Sequence, residues 1–319
     1  MVQLTFLLTL KDRASYSTVW LQNNIHPQYQ YLVVDGSLGD ENYQLFSNLD
    51  LPNLDYIRCA HDASVDIYLN KIVKALGRVL TPYVMLCDND DFINFSGIQD
   101  CINELNLHKE VICAGGPLYA TFESHSSKDH RYSLPFRVVN SSIDLSGAIG
   151  FQALKTLFRK YSHVYYSIFR TEACSKIWHD IQRLNITDLY IIELIHAELV
   201  FSYGKYVETD RNHYLRLVNP LTSEAKTCSE TDIPHTQKIF FDDEYRAQVL
   251  RASSHVAHLL KVDLKEFLAE LKFFYIGKRM IPKFCEIVSL QIRSRLVTHL
   301  PYFKLSTIFA IINIFQRRA

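Results

Sequence analysis

Tyr83-Val-Met-Leu-Cys-Asp88-Asn-Asp90-Asp91-Phe92 is an apolar run that stops at three carboxylates. Introduced by Thr81-Pro82, it reads as a strand buried on both faces of a parallel sheet, delivering acid to one end. Three carboxylates this close repel one another unless a cation or hydrogen-bond donors neutralise them. The competing reading is an acidic turn whose Asp caps the next helix. The neighbouring segments decide between the two.

Upstream the same pattern recurs. Leu4–Leu10 is a continuous apolar run broken by Lys11-Asp12-Arg13, after which Ser15 or Ser17 is expected to cap a helix carrying Val19, Trp20 and Ile25. Tyr31–Val34 stops at Asp35-Gly-Ser37, and Asp55–Ala60 stops at His61-Asp62. A helix follows with Ile67, Ile72, Val73, Leu76, Val79 and Leu80 on its apolar face and Asn70, Lys71 and Lys74 off it. Strand and helix patterns alternating over this length predict an α/β fold with a parallel sheet, whose ligands bind outside the carboxyl ends of the strands. Thr9, Lys11, Arg13, Asp35, His61, Asp62, Asp88, Asp90 and Asp91 then converge on one crevice, which unrelated acidic turns would not do.

No GxGxxG follows the first strand and no GxxxxGK[ST] occurs, so neither a dinucleotide domain nor a P-loop is supported. A diphosphate in this crevice needs another neutraliser. A hard divalent cation on one or two carboxylates and the phosphates meets that need.

Downstream, a helix is expected around Ile98–Leu105 and a strand over Val111–Pro117. Tyr119–Leu154 reads as an insertion with a loop at Ser126–His130. Val164–Arg170 reads as a strand, with Thr171 capping a helix through Trp178 and Ile181. Asp188–Gly204 is a mostly apolar helix ended by glycine, followed by a strand at Lys205–Glu208 and the polar stretch Arg211–Arg216. Glu193 and His196 lie one helical turn apart, but no second Glu-x-x-His exists to complete a di-metal centre. A carboxylate among Ile, Leu and Ala is costly without a partner or a task, which makes Glu193 a candidate general base, or else half of an ion pair with an Arg or His.

Three places give the chain a resemblance to glycosyltransferases of the type-A fold, family 2, in particular short bacterial members of surface-polysaccharide synthesis. They are Thr9-Leu-Lys-Asp-Arg13 with Val33-Val-Asp-Gly-Ser37, Asn70 ahead of the strand ending in Asp88-Asn-Asp90-Asp91, and Ile192-Glu193 eleven residues before Gly204; the resemblance spans residues 3–218. It implies a Rossmann-like mixed sheet flanked by helices, and inverting transfer from a nucleoside diphosphate sugar to a glycan or lipid-linked acceptor. It also implies that Asp35 contacts the base, Asp88 the ribose and Asp90, beside Asp88, a Mg or Mn ion. Asp91 assists, and Thr9, Lys11, Arg13 and Asn70 complete the substrate-binding set. Glu193 occupies the position of the second acid in the family's Glu-Asp pair, but the pair here is Ile-Glu, so Asp188 stands as an alternative base. Rival readings are a catalytically silent glycan-binding or scaffold protein of the same fold, and a metal-dependent phosphohydrolase. The latter lacks the Thr expected two residues after Asp90.

The 319 residues, 48% hydrophobic, suffice for a large core, and are expected to divide into a nucleotide-sugar domain (1–238) and a basic helical region (239–319). Lys+Arg and Asp+Glu balance at 34 each, but from Gly277 onward eight basic residues face the single acid Glu286. With the apolar repeat at Phe284, Ile287, Val288, Ile292 and Leu296 and the apolar run Leu305–Phe315, this predicts either a helix lying on a membrane surface or terminal helices docked on the body or on a second subunit. Basic residues here do not interleave with an aromatic platform, which argues against nucleic acid. Seven scattered cysteines without a CxxC pair suit free thiols in a reducing compartment. The opening MVQLTFLLTLKDR lacks a basic leader and reads as a core strand. No apolar window reaches the ~18–20 residues that span a bilayer. A cytoplasmic protein, peripheral on the cytoplasmic face of the membrane if its tail binds lipid, is expected. Asn94-Phe-Ser, Asn140-Ser-Ser and Asn185-Ile-Thr fit the glycosylation pattern, but carry no weight without a secretion signal.

Overall fold

The computed structural model describes residues 2–123, 132–137, 149–159, 161, 163–218, 235–280 and 304–316. Four parallel strands open the chain: β1 (Leu4–Leu10), β2 (Gln30–Asp35), β3 (Leu54–Arg58) and β4 (Tyr83–Asp88). Between them run helices α1 (Ala14–Asn24), α2 (Glu41–Ser47) and α3 (Val65–Leu76). Then come β5 (Phe92–Ile93), α4 (Phe95–Leu107), β6 (Val111–Gly115), β7 (Tyr119–Thr121), β8 (Phe136–Arg137) and α5 (Gly150–Arg159). The second half holds β9 (Ile168–Arg170), α6 (Thr171–Arg183), α7 (Leu189–Tyr203), β10 (Lys205–Glu208) and β11 (Tyr214–Leu217). The helices described after it are α8 (His235–Phe241), α9 (Asp243–Leu260), α10 (Leu264–Met280) and α11 (Leu305–Gln316).

The main sheet has the order β10-β6-β9-β4-β1-β2-β3. Only β9 runs against the others, pairing antiparallel with both β4 and β6. The mixed sheet flanked by helices is therefore present, and its first four strands are parallel, as their alternation with helices predicts. β4 is central, and its residues from Tyr83 to Cys87 are buried on both faces, as its apolar run requires. A second sheet, β5-β11-β7-β8, stands beyond its carboxyl end. The polar stretch 211–216 thus contains most of an unforeseen strand, β11.

Several local expectations change. The helix after β1 begins at Ala14 with Arg13 at its N-cap and no side-chain cap, because Ser17 is buried and receives a hydrogen bond from Asn89 (2.9 Å) instead. Thr171 does not cap α6: its hydroxyl donates to the Thr81 carbonyl (2.8 Å), tying the helix start to the loop before β4. α3 ends at Leu76, so Leu80 lies outside it and is exposed, whereas Lys71, expected off the apolar face, is buried. Its ammonium donates to Asp62 and to the Leu10 carbonyl (3.0 Å), the pairing that makes burial of a charge tolerable. Gly204 ends α7 in extended rather than left-handed backbone; glycine is needed there because a Cβ would come within 2.6 Å of Ile112.

α7 is buried almost all round, in one apolar cluster with α5, α6, α9 and α10. Leu199 and Val200 of the body and Val249, Val256 and Phe267 of the later helices belong to that cluster, so the apolar core continues across residue 239. α11 returns to the far side: Ile308 and Ile312 are fully buried with Val19, Phe92, Leu215 and Leu217. That part of the basic tail docks on the body. The amphipathic segment at 284–296, the loop at 126–130, Asn140 and the remaining tail charges from Lys283 to Arg295 and at Arg317–Arg318 lie outside the described residues. Among the described residues no helix is long and apolar enough to cross a membrane, and Cys59, Cys87, Cys101, Cys113 and Cys174 are free thiols.

Candidate active site at the strand ends

The chain leaves β1 through two consecutive non-glycine residues in left-handed backbone, Asp12 (φ 59°) and Arg13 (φ 57°). Such residues cost of order 1 kcal/mol or more each and persist only where the surroundings fix them. Here they are fixed from three sides. The Asp12 N–H donates to the Ser37 hydroxyl (2.7 Å), Asn42 donates to the Asp12 carbonyl (2.9 Å), and Asn89 to the Arg13 carbonyl (3.2 Å). The consequence is an Arg13 guanidinium seated on Asp90.

Asp88, Asp90 and Asp91 offer carboxylate oxygens within 4.8 Å of one another, but they face different duties. Asp88, partly exposed, accepts from the Thr9 hydroxyl (3.4 Å) and from Tyr166. Burial pushes the Asp90 carboxyl up, opposed by Arg13 and reinforced by Asp88. Asp91 is turned inward: it accepts from the Tyr214 hydroxyl and from the Leu217 N–H (2.7 Å), and these hydrogen bonds hold β11 in place. Burial, then Asp90 and Asp88, push its carboxyl well above the usual range. Hard oxygen donors of this kind suit Mg or Mn. Asp88 and Asp90 fit such an ion better than Asp91, because Asp88 is partly exposed whereas Asp91 is buried and committed to the β11 backbone through the Leu217 N–H.

Across the crevice, Tyr166, the donor to Asp88, stacks on Tyr214 (4.7 Å between centroids) and meets Tyr165 edge-on (5.0 Å), and Tyr165 shares a hydrogen bond with Tyr68 (3.0 Å). Burial, then Tyr68, push the Tyr165 phenol well up. Glu193 is partly exposed on α7. Its Oε1 accepts from Tyr161 (3.0 Å) and from His163 Nδ1 (3.0 Å). Burial alone would raise its pKa, but His163, Tyr161 and Arg216 together bring it down to about 2. The partner foreseen for Glu193 is thus a histidine, His163, held to it by a hydrogen bond. Neither the sequence pattern nor the resemblance pointed to His163 or Tyr161; the only signal was a titratable ring inside an aromatic-rich segment.

Of the other candidates, Thr9 and Arg13 join the carboxylates, and Lys11 is exposed; burial raises the Asp62 carboxyl, opposed by Lys71 and more weakly by Lys11. Asp35 ends β2 as foreseen, but is fully buried and engaged by Tyr56, Arg58 (2.9 Å) and the Ser37 N–H (2.8 Å). Asn70 is not brought to the carboxylates. It bonds to the Asp66 carbonyl (2.9 Å) and Gln182 (2.7 Å), and lines a separate cavity of about 280 Å³ between α3 and the β2–β3 edge. Asp188 is the N-cap of α7, accepting from the N–H groups of Tyr190 (2.9 Å) and Ile191 (3.3 Å) and from Lys238 (3.1 Å). Capping accounts for that acid. His196 sits in the core against Tyr165, Phe169 and Trp178 with neither ring nitrogen hydrogen-bonded, and burial lowers its pKa to about 3.

No protein-family model matches the chain, and no curated protein matches its sequence. Among solved structures, residues 1–349 of S. aureus TarS are similar, with a TM-score of 0.47 and 13% identity over 86% of this chain and 89% of that one. The same protein in complex with UDP-GlcNAc gives 0.48 and 11%, and in complex with UDP 0.47 and 12%, over the same shares.

Proposed function

We propose that the chain is a glycosyltransferase of the family 2 kind, moving a sugar from a nucleoside diphosphate sugar to a hydroxyl of a glycan or lipid-linked acceptor with inversion. The observation that carries this reading is the pair Asp88 and Asp90 at the end of the central strand, with Thr9 and Arg13 on one side and Glu193 across a tyrosine wall. A leaving diphosphate needs positive charge, and an attacking hydroxyl needs a carboxylate-supported proton acceptor. Asp88 and Asp90 would hold a divalent cation, which supplies Lewis-acid stabilisation of the leaving diphosphate. Arg13 is placed to donate to the phosphates once it leaves Asp90. Thr9 holds Asp88 in register with β1, and the Tyr166 hydroxyl orients it. Glu193 supports removal of the acceptor proton.

One observation favours the silent glycan-binding alternative: Asp35 is saturated by Tyr56, Arg58 and Ser37, so reading a nucleotide base through it requires those partners to rearrange. Thermal unfolding with UDP-glucose, UDP-GlcNAc, UDP-galactose and GDP-mannose, each with and without Mn²⁺, separates the two. The transferase reading expects metal-dependent stabilisation by at least one sugar nucleotide; stabilisation by none favours the silent protein.

A further inference from the structure

Glu193 has a difficulty as the proton acceptor itself. The two hydrogen bonds on Oε1 that keep it ionised also make it a weak base, and proton transfer works best when the base's pKa lies near the working pH. The same contact has the opposite consequence for its partner. With Nδ1–H donated to an ionised carboxylate, the neutral imidazole is fixed in one tautomer and its lone pair is left on Nε2. Among the described residues Nε2 has no hydrogen-bond partner, and the side chain is 26% exposed. The ring plane is set by an edge-on contact with Tyr161 (5.1 Å between centroids, 88°).

We propose that His163 Nε2 accepts the proton of the attacking hydroxyl, with Glu193 as the positioning residue that sets its tautomer and balances the imidazolium. The inference rests on the transferase reading and deepens it. In the step, the acceptor O–H proton passes to Nε2 and the oxygen's electron pair forms the new bond to the anomeric carbon. The bond from that carbon to the diphosphate oxygen breaks, and the nucleoside diphosphate leaves with the electron pair. The imidazolium returns its proton to solvent. The charged and titratable groups around the pair, among the described residues, are Glu193, Tyr190, His196 and Glu198 on α7, Tyr161 beside it, Tyr165, and Arg216 on β11.

Two measurements test this. In ¹⁵N-histidine-labelled protein, with His163→Gln used for assignment, the neutral His163 ring is expected as the Nδ1–H tautomer, and Glu193→Gln should abolish that preference. An Nε2–H tautomer, or a ring doubly protonated throughout pH 6–9, overturns the proposal. In the kinetic arm, release of nucleoside diphosphate from whichever sugar nucleotide stabilises the wild type should fall at least ~10²-fold in His163→Gln, with the donor-induced melting shift retained. In Glu193→Gln the acidic limb of the pH–rate profile should move. Undiminished turnover in His163→Gln sinks the base assignment alone, whereas no donor-induced shift in the wild type sinks the transferase reading and leaves the tautomer result standing by itself.

Discussion

The two sides of the crevice, proposed above to take the donor and the acceptor, are built differently. On the donor side, Thr9, Arg13, Asp88 and Asp90 sit at the ends of adjacent strands, in register through the β1–β4 ladder, where Thr9 pairs with Asp88. On the acceptor side, Glu193 stands in the first half of a helix, and the groups that set its charge, Tyr161 and His163, come from the segment before β9. Strand ends place charge by backbone pairing, so the donor side is rigid and self-reporting in sequence. The acceptor side depends on side chains meeting across different elements, and its chemistry is a property of the pair rather than of one residue.

The largest effect should come from the donor side. Asp90→Ala is expected to lower metal-dependent donor turnover by about 10³-fold while the melting temperature stays near that of the wild type, since Arg13 is partly exposed and can be rehydrated. Full turnover in that variant would remove the distinction between the two sides. Next comes Glu193→Gln, which should reduce transfer roughly 10²-fold and leave the donor-induced melting shift intact; loss of that shift would mean that the two sides are not separable.

Stability probes follow. Ile312→Ala opens a void behind Phe92 and Leu217, at a cost of about 3 kcal/mol in chemical denaturation. Because the Leu217 N–H holds Asp91, donor affinity should weaken as well; unchanged affinity would show that the donor side does not rely on α11. The smallest expected effect concerns Glu198, one turn along α7 from Glu193. Burial raises its pKa from 4.5 to about 8, so the folded protein keeps a proton that the unfolded chain gives up above its ordinary value. Its contribution is intact below about pH 4.5 and is lost as pH rises towards 8. Glu198→Gln should therefore be nearly neutral at pH 4 and increasingly stabilising as pH rises towards 8. A gain independent of pH would contradict the assignment.

The same contrast governs what could be read from the residues. β4 and its acids were legible because a doubly buried strand must be apolar and its end need not be. The turn at Asp12–Arg13 was not, since left-handed backbone normally announces itself through glycine and neither residue is one. β11 was hidden because its burial is supplied from afar, by Asp91 and Tyr166, and its own residues 211–216 look polar. Lys71 looked solvent-facing, but Asp62 in the loop before α3 folds back onto it. Asn70 and Asp188 show the converse: resemblance nominated them, and α3 and α7 use them in local hydrogen bonds. His163 acquires meaning only through Glu193, thirty residues away.

The most direct test of the central claim is a crystal structure with Mn²⁺ and the stabilising sugar nucleotide, read from the manganese anomalous signal. The account predicts an anomalous peak in bonding contact with Asp88 or Asp90, with the diphosphate on it and Arg13 turned from Asp90 towards the phosphates. A nucleotide and metal bound elsewhere, with Arg13 still seated on Asp90, would contradict it.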